Sequence, residues 1–514
     1  MKRERWGSKL GVILAVAGSA IGLGNFLRFP VQAVKNGGGA FIIPYFISLF
    51  LLGIPLMWIE WTIGRFGGGF GHGTAPGIFH TLWRKNRFIK YFGVIGIFGP
   101  IVIFIYYTYI ESWLLAYTFF PLRSDFSLIS KKDEMVSFLR AYQGIIKNQY
   151  FSSILPAYFF FFITFSLNLL IVYFGVKKGI ERVCKIAMPS LFLFALILVI
   201  RVLTLENIEN KLWSPLNGLG FLWNPDFSSL KDAKVWLSAA GQIFFTLSVG
   251  IGVILTYASY LSKDDDVLLS GLTSASANEF AEVILGGSIV IPAAYVFFGP
   301  IGIREVANQG AFDLGFVTMP LILKSIPFGK IFEILWFFLL FLAGLTSSIS
   351  LEQPAIAFLE DEFNLSRNKS VLIFGIATFL LSNLSIFFLS KGVVDELDFW
   401  GGTFALVLFA TCETILFAWI FGMENAWEEM HSGSDINLPK IYKFIIKYIT
   451  PLFLISILLS WTIQYAIPTL LLKNVPKENL PYVIMIRLVL LILFIILCFL
   501  VKISWSKKGE KLET

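Results

Sequence analysis

Long apolar runs separated by short polar stretches occupy almost the whole chain. A hydrocarbon core about 30 Å thick takes about 20 apolar residues of helix to cross. The runs reach that length at about twelve places, roughly 10–35, 40–67, 88–120, 154–175, 181–203, 234–261, 268–299, 330–360, 366–389, 397–422, 440–466 and 480–503. This pattern predicts an all-α polytopic membrane protein. No loop is long enough to bury a core of its own, so no soluble domain is expected.

Two runs are interrupted. The first contains GSAIGLGNFLRFP at 18–30, with glycines at 18, 22 and 24. The sixth contains TLSVGIG at 246–252, with Ser248, Gly250 and Gly252 in a similar arrangement. Spans one and six are corresponding members of two five-span halves. Paired Gly-interrupted segments point to an inverted-repeat transporter with its site at the bilayer midplane. A broken helix frees N–H and C=O groups that must meet protein, water or a ligand. The amides heading the second half-helix suit a carboxylate. The carbonyls ending the first half suit Na⁺ or an ammonium group. A zwitterionic amino acid with sodium matches both ends. Close packing through small residues is the plainer reading of one isolated Gly-x-Gly; two matched breaks beside Asn25, Arg28 and Ser248 favour the site.

Ionisable residues inside the apolar runs are Arg28, Glu60, Glu111, Glu282, Asp398 and Glu413. Such groups are costly in lipid and face a partner or a cavity. Glu60, Glu111 and Glu413 read as braces for neighbouring helices or for the breaks. Arg28 and Asp398 both fall on the outer side, where a pair between them is geometrically allowed. LTSSISLEQP at 345–354 puts Thr346, Ser347 and Ser348 mid-span, as oxygen ligands or as hydroxyls bonded back to their own helix. GGGFGHG at 67–73 lacks the Lys-Ser/Thr of a phosphate loop and follows a membrane helix, so no nucleotide site is expected there.

Composition agrees with the pattern. Of the 514 residues, 56% are apolar and 15% charged, against about 25% charged in soluble chains. The net charge of +7 does not imply nucleic acid, because the basic residues cluster at span ends. The N-terminus, the loop around Arg84–Lys90, the loop around Lys177–Lys185 and the C-terminus all carry Lys and Arg. Both termini are therefore expected in the cytoplasm. KDDD at 263–266 would be inside yet acidic, and 121–153 outside yet with five Lys/Arg, so both fit less well. Cys184, Cys412 and Cys498 read as small buried hydrophobes. The start looks like a signal peptide but lacks an A-x-A site, and is read as retained. No H-E-x-x-H or G-x-S-x-G occurs, and only three histidines are present, so an enzyme is not expected.

GSAIGLGNFLRFPVQAVKNGGGAFIIPY, YYTYIESW, GQIFFTLSVGIG, SANEFAEVILGG, AGLTSSIS and DELDFWGGT, in this order, resemble the neurotransmitter:sodium symporter family, near its bacterial leucine transporters. The resemblance implies a LeuT-like 5+5 inverted repeat with unwound first and sixth helices, plus two extra helices. The halves would be 1–203 and 204–422, followed by 423–514 with the last two helices and a cytoplasmic tail. It implies a prokaryotic, multi-pass cell-membrane symporter that imports a hydrophobic L-amino acid by alternating access. A homodimer is compatible with the family. A sensor with the same pocket but no transport is the alternative; electrogenic uptake separates the two.

The same resemblance assigns residues. The substrate carboxylate would meet the Gly24 amide, the Tyr107 hydroxyl and one sodium ion. Its amine would meet carbonyls of Ala20, Phe245 and Thr246, and Ser248. Leu23, Ile103, Ile251, Ser347 and Leu351 would complete the pocket. One sodium would take oxygens from Ala20, Asn25, Thr246 and Asn278. A second would take carbonyls of Gly18, Ile21 and Ala343, with hydroxyls of Thr346 and Ser347. Tyr107 and Phe245 would form the lid, and Arg28 with Asp398 the outer gate. Arg3 and Asp361 would form the inner gate, with Trp6, Ser259, Tyr260 and Gln353 nearby. Glu282 stands where chloride-dependent animal members have a serine, so its carboxylate implies that no chloride is required. Ile103, Ile251 and Leu351 replace a valine, a phenylalanine and an isoleucine of the leucine transporters. The pocket stays apolar with a changed shape, which allows leucine, methionine or an aromatic amino acid. Ser19 replaces an asparagine, and Glu352 a methionine beside Gln353.

Overall fold

The structure, a computed structural model, describes residues 4–207, 210–473 and 475–512, with side chains as far as Ser506. Arg3 lies outside the described residues. Helices dominate, and the described residues contain one isolated bridge, Gly38 with Pro225, and no strand. Ten helices are long and apolar enough to cross a membrane: Gly39–Gly69, Ile89–Leu122, Leu155–Tyr173, Val176–Leu203, Val267–Gln309, Gly329–Phe363, Arg367–Phe387, Val393–His431, Ile441–Leu470 and Lys477–Ser506. The pair Lys9–Ala20 and Gly24–Lys35, bent by 47°, makes an eleventh. The sixth expected span is present as Ala233–Leu247 and Val253–Ala258. Neither half alone reaches spanning length, because the break divides it.

Local chemistry explains both breaks. The first helix starts at Ser8, whose hydroxyl accepts from the Gly11 amide at 3.0 Å, an ordinary N-cap. It ends at Ala20; Ile21 is extended, and helix resumes at Gly24 with Pro30 in the first turn of the next α-helical piece. The sixth span starts at Asp232, which caps Lys234 N at 2.8 Å. It ends at Ser248, with φ 52°. Gly250 (φ 75°) and Gly252 (φ 88°) are also left-handed, a region that disfavours side chains. Space forbids side chains too: a Cβ at Gly250 would lie 2.6 Å from the Leu406 carbonyl oxygen, and one at Gly252 2.4 Å from that of Gly96.

The broken spans lie inside the bundle. The first packs against the fifth, seventh and eighth, and the long eighth span runs along the third. The third is largely buried, whereas the twelfth exposes most of its side chains, as a lipid-facing helix does. Two stretches are more ordered than their charge suggests. In the acidic 263–266 turn, Asp266 caps the seventh span through the Leu269 amide at 2.9 Å, and Asp265 accepts from the Ser262 amide at 2.7 Å. In the 121–153 loop, helices Ser124–Ser127 and Lys132–Tyr142 pack around Phe120, Phe126 and Phe138. The seventh helix also overruns its expected end at 299, turning at Gly299 (φ 65°) ahead of Pro300 and continuing to Gln309.

Candidate functional site

The two breaks meet in one polar cluster. Asn25 Oδ1 accepts from the Gly22 amide at 2.8 Å, folding the side chain back into its own break. Asn25 Nδ2 donates to Asn278 Oδ1 at 2.8 Å and to the Thr246 hydroxyl at 3.1 Å. Asn278 Nδ2 donates to the same hydroxyl at 2.7 Å. Thr246 in turn donates to Glu282, whose other oxygen accepts from Gln242 Nε2 at 2.8 Å. Four of the residues assigned from sequence thus converge from the first, sixth and seventh spans, all within 1% exposure. Their oxygens form a hard donor set, suited to a small alkali cation and not to a transition metal. Among the described residues, no group of three His, Cys, Asp or Glu could hold a metal ion.

A second cluster joins the end of the first half-helix to the eighth span. Ser347 Oγ approaches the carbonyl oxygens of Gly18 and Ser19 at 3.4 and 3.2 Å. Thr346 Oγ1 bonds to the Ala343 carbonyl at 3.2 Å and the Leu342 carbonyl at 3.0 Å. Gly18 is held close: a Cβ there would stand 3.1 Å from Thr346 Cβ. Ile21 closes the same turn, its amide bonded to the Ala17 carbonyl at 2.7 Å. Gly18, Ala343, Thr346 and Ser347 therefore share one locus at the first break. Ser248 crosses between the breaks, its hydroxyl donating to the Ser19 carbonyl at 2.8 Å.

The residues expected to line the pocket retain small openings in places. A Cβ built on Gly24 meets nothing within 4 Å, whereas one on Gly22 would meet Ser347 Oγ at 2.9 Å and the Tyr107 hydroxyl at 3.3 Å. Ile103 keeps 8% exposure between Val102 and Phe104 at 0%. Leu23, Ser248, Ser347 and Leu351 retain similar traces, and Phe245, Ile251 and Tyr107 are half-buried. Ala20 lies at the edge of the break, almost fully buried.

Arg28 and Asp398, the residues expected at the outer gate, each have another partner at close range. Among the described ion pairs there is none between Arg28 and Asp398. The Arg28 guanidinium lies 3.3 Å above the Phe245 ring, a cation–π contact. Asp398 instead accepts from the Tyr106 hydroxyl at 2.6 Å. The physical reason is competition: the phenol beside Asp398 satisfies the carboxylate while the ring face holds the cation. Arg28 also lines an open cavity of about 650 Å³ with Gln32, Trp236, Phe404 and Trp461.

Among the residues expected at the inner gate, Trp6 Nε1 donates to the Tyr257 carbonyl at 2.9 Å, and its ring meets that of Tyr257 edge-on at 5.2 Å. Gln353 Nε2 donates to the Tyr260 hydroxyl at 2.6 Å. Ser259 turns onto its own helix, donating to the Thr256 carbonyl at 2.6 Å. Asp361 stands near the end of the eighth span. Sequence reasoning missed Arg367, which donates to Gln353 at 2.8 Å, to the Val172 carbonyl at 2.8 Å and to Glu360 at 3.2 Å. In the sequence it reads as one more basic residue at a span end. Gln242 and Tyr106 were also missed. Gln242 had a signal, since it precedes Thr246 by one helical turn, as Asn278 precedes Glu282. The brace reading of Glu60 agrees with the geometry, because it accepts from the Gly250 amide inside the second break. Glu111 accepts from Asn168 Nδ2 at 3.2 and 3.1 Å, and Ser348 donates to Asn168 Oδ1 at 2.5 Å.

Known proteins are similar to this chain along most of its length. The model of the sodium:neurotransmitter symporter family matches residues 3–137 and 157–507. An uncharacterised sodium-dependent transporter of Methanocaldococcus jannaschii is 32% identical over 467 residues, covering 89% of this chain and 90% of its own. A sodium-dependent dopamine transporter of Caenorhabditis elegans is 27% identical, covering 90% of this chain and 81% of its own. A crystal structure of MhsT in complex with L-phenylalanine superposes with a TM-score of 0.75 at 31% identity, covering 89% of this chain and 99% of that one. Two broken helices joined through Asn25, Thr246 and Asn278, and a match along nearly the whole length, lead to one conclusion: the chain belongs to the sodium:neurotransmitter symporter family.

Proposed function

We propose that the protein imports a hydrophobic L-amino acid together with two sodium ions, without a chloride requirement, by alternating access. The observation that carries this reading is the oxygen cluster of Asn25, Thr246, Asn278 and Glu282 beside the open turn at Gly24. One sodium would sit among Ala20, Asn25, Thr246 and Asn278, completed by the substrate carboxylate on the Gly24 amide and Tyr107. The other would sit among Gly18, Ile21, Ala343, Thr346 and Ser347. Ile103, Ile251 and Leu351 would receive an apolar side chain. No acidic residue stands among those wall positions, so an amine lacking a carboxylate has no counter-charge there. The bound phenylalanine of MhsT supports an amino acid of this kind. Phe245 with Arg28 would cover the pocket from outside. Trp6, Tyr260, Gln353 and Asp361 would close it from the cytoplasm, on which side we place both termini.

The chloride reading follows from charge. Glu282 supplies a fixed carboxyl oxygen to the cluster, the negative charge that a bound chloride would otherwise provide. Two sodium ions with a neutral zwitterion move two charges, about 4.6 kcal/mol per 100 mV of membrane potential. That alone supports roughly a thousandfold gradient, so no nucleotide hydrolysis is needed. The test is uptake of a panel of labelled amino acids by purified protein in liposomes, with sodium or chloride replaced in turn. Sodium-dependent, chloride-indifferent uptake of apolar amino acids is expected. No sodium-driven uptake in vesicles that hold their gradient refutes the reading, and chloride-dependent uptake with Glu282 intact refutes the role given to its carboxylate.

A further inference from the structure

The eighth span carries, in its middle, an acid that neither the breaks nor the gates account for. Glu352 lies one helical turn after Ser348 and beside Gln353, at 0% exposure. Among the described residues, no hydrogen-bond partner lies in range of either carboxyl oxygen. A buried charge without donors is strongly disfavoured, whereas a neutral acid tolerates the place far better.

The surroundings do not relieve that charge. The third span presents another acid, Glu111, and the ninth presents Arg367. The fourth span contributes Asn168, whose amide nitrogen is directed to Glu111. The Arg367 donors go to Val172, Glu360 and Gln353, with Glu4 at 3.9 Å beyond them. The sixth span presents Tyr257, whose hydroxyl donates to Ser350 at 2.9 Å, and Cys184 of the fifth lies behind it. The buried first-span stretch 11–20 holds no titratable residue.

We propose that Glu352 is a proton-binding site, neutral in this closed arrangement and opened to the cytoplasm together with the inner gate. Gln353 links Arg367 to Tyr260, so it ties the ninth span to the inner half of the sixth. When Tyr260 leaves Gln353, water reaches the pocket beside Glu352. The carboxylic O–H then gives its proton to cytoplasmic water, and the carboxylate gains Arg367 as partner. Closing the gate takes one proton back. Inner opening is thereby favoured at high internal pH and closure at low internal pH. The coupling rests on the transport cycle proposed above; the bound proton does not.

Two measurements test it. Infrared difference spectra of purified wild type against Glu352→Gln, taken at neutral pH, are expected to contain the carbonyl stretch of a protonated carboxylic acid. A difference confined to carboxylate bands overturns the proton site. In liposomes, wild-type uptake is expected to change severalfold across internal pH 6 to 8 (roughly one unit either side of neutrality). Glu352→Gln and Glu352→Met are each expected to flatten that profile. Profiles of both folded variants that superimpose on wild type overturn the coupling. Absent uptake by wild type refutes the transport reading and leaves the spectra to decide the proton site.

Discussion

Replacing Thr246 by valine removes one hydroxyl and keeps the side-chain shape. In the structure that hydroxyl accepts from Asn25 at 3.1 Å and from Asn278 at 2.7 Å, and donates to Glu282. Asn25 Nδ2 keeps its bond to Asn278 Oδ1 at 2.8 Å. Asn278 Nδ2 is left with a 3.4 Å approach to Glu279 as its remaining described contact. Glu282 loses a donor on one oxygen. Leaving buried polar groups without partners costs about 1–3 kcal/mol. If the hydroxyl also holds sodium, the same range corresponds to roughly five- to 150-fold weaker sodium affinity. The assay is binding of a labelled apolar amino acid as sodium is titrated, with thermal unfolding measured at low and high sodium. Ion binding stabilises the folded state by about 2.7 kcal/mol at a hundred times the dissociation constant. The variant should therefore show both a higher half-saturation and a smaller sodium-induced rise in Tm. Thr246→Ser retains the hydroxyl and should stay near wild type. A folded Thr246→Val with wild-type sodium half-saturation refutes the assignment of this cluster as an ion site.

Three further outcomes are expected. Gly24→Ala should unfold at the wild-type temperature, because its Cβ meets nothing within 4 Å, yet bind amino acid at least about tenfold more weakly, a loss of ~1.4 kcal/mol; unchanged affinity would show that the turn does not border the substrate. Gly250→Ala should lower Tm by at least the equivalent of ~1 kcal/mol from its left-handed backbone, before the 2.6 Å approach to Leu406 is counted, and a wild-type melting curve contradicts this. On the connecting helix Ala75–Leu82, burial, then Lys90, His72 and Arg84, push the His80 pKa down from 6.5, against a weaker opposing pull from Glu362. The unfolded chain then binds more protons between that lowered value and 6.5, so stability is complete above 6.5 and falls as pH drops through the window; His80→Gln should flatten Tm in that range, and an unchanged slope excludes His80 as its source.

The sequence by itself determined where the chain crosses the membrane and where two crossings fail. Span length is a local property of apolar runs, and the breaks at 21–23 and 248–252 follow from residues that tolerate interrupted helix. Asn25 stood out beside the first break, whereas Thr246 and Asn278 were marked only by the resemblance of GQIFFTLSVGIG and SANEFAEVILGG to the family. Tertiary structure alone decided which groups pair. Arg28 and Asp398 look like partners by position, yet Phe245 takes the cation and Tyr106 the carboxylate, because these neighbours come from other spans. Arg367 looked like a span-end charge until the fold turned it toward Gln353. Glu352 is identical in sequence terms to any acid one turn from a serine. Only the packing of the neighbouring spans removes water and donors from it, and burial without a partner is a property of the assembled bundle and not of the chain.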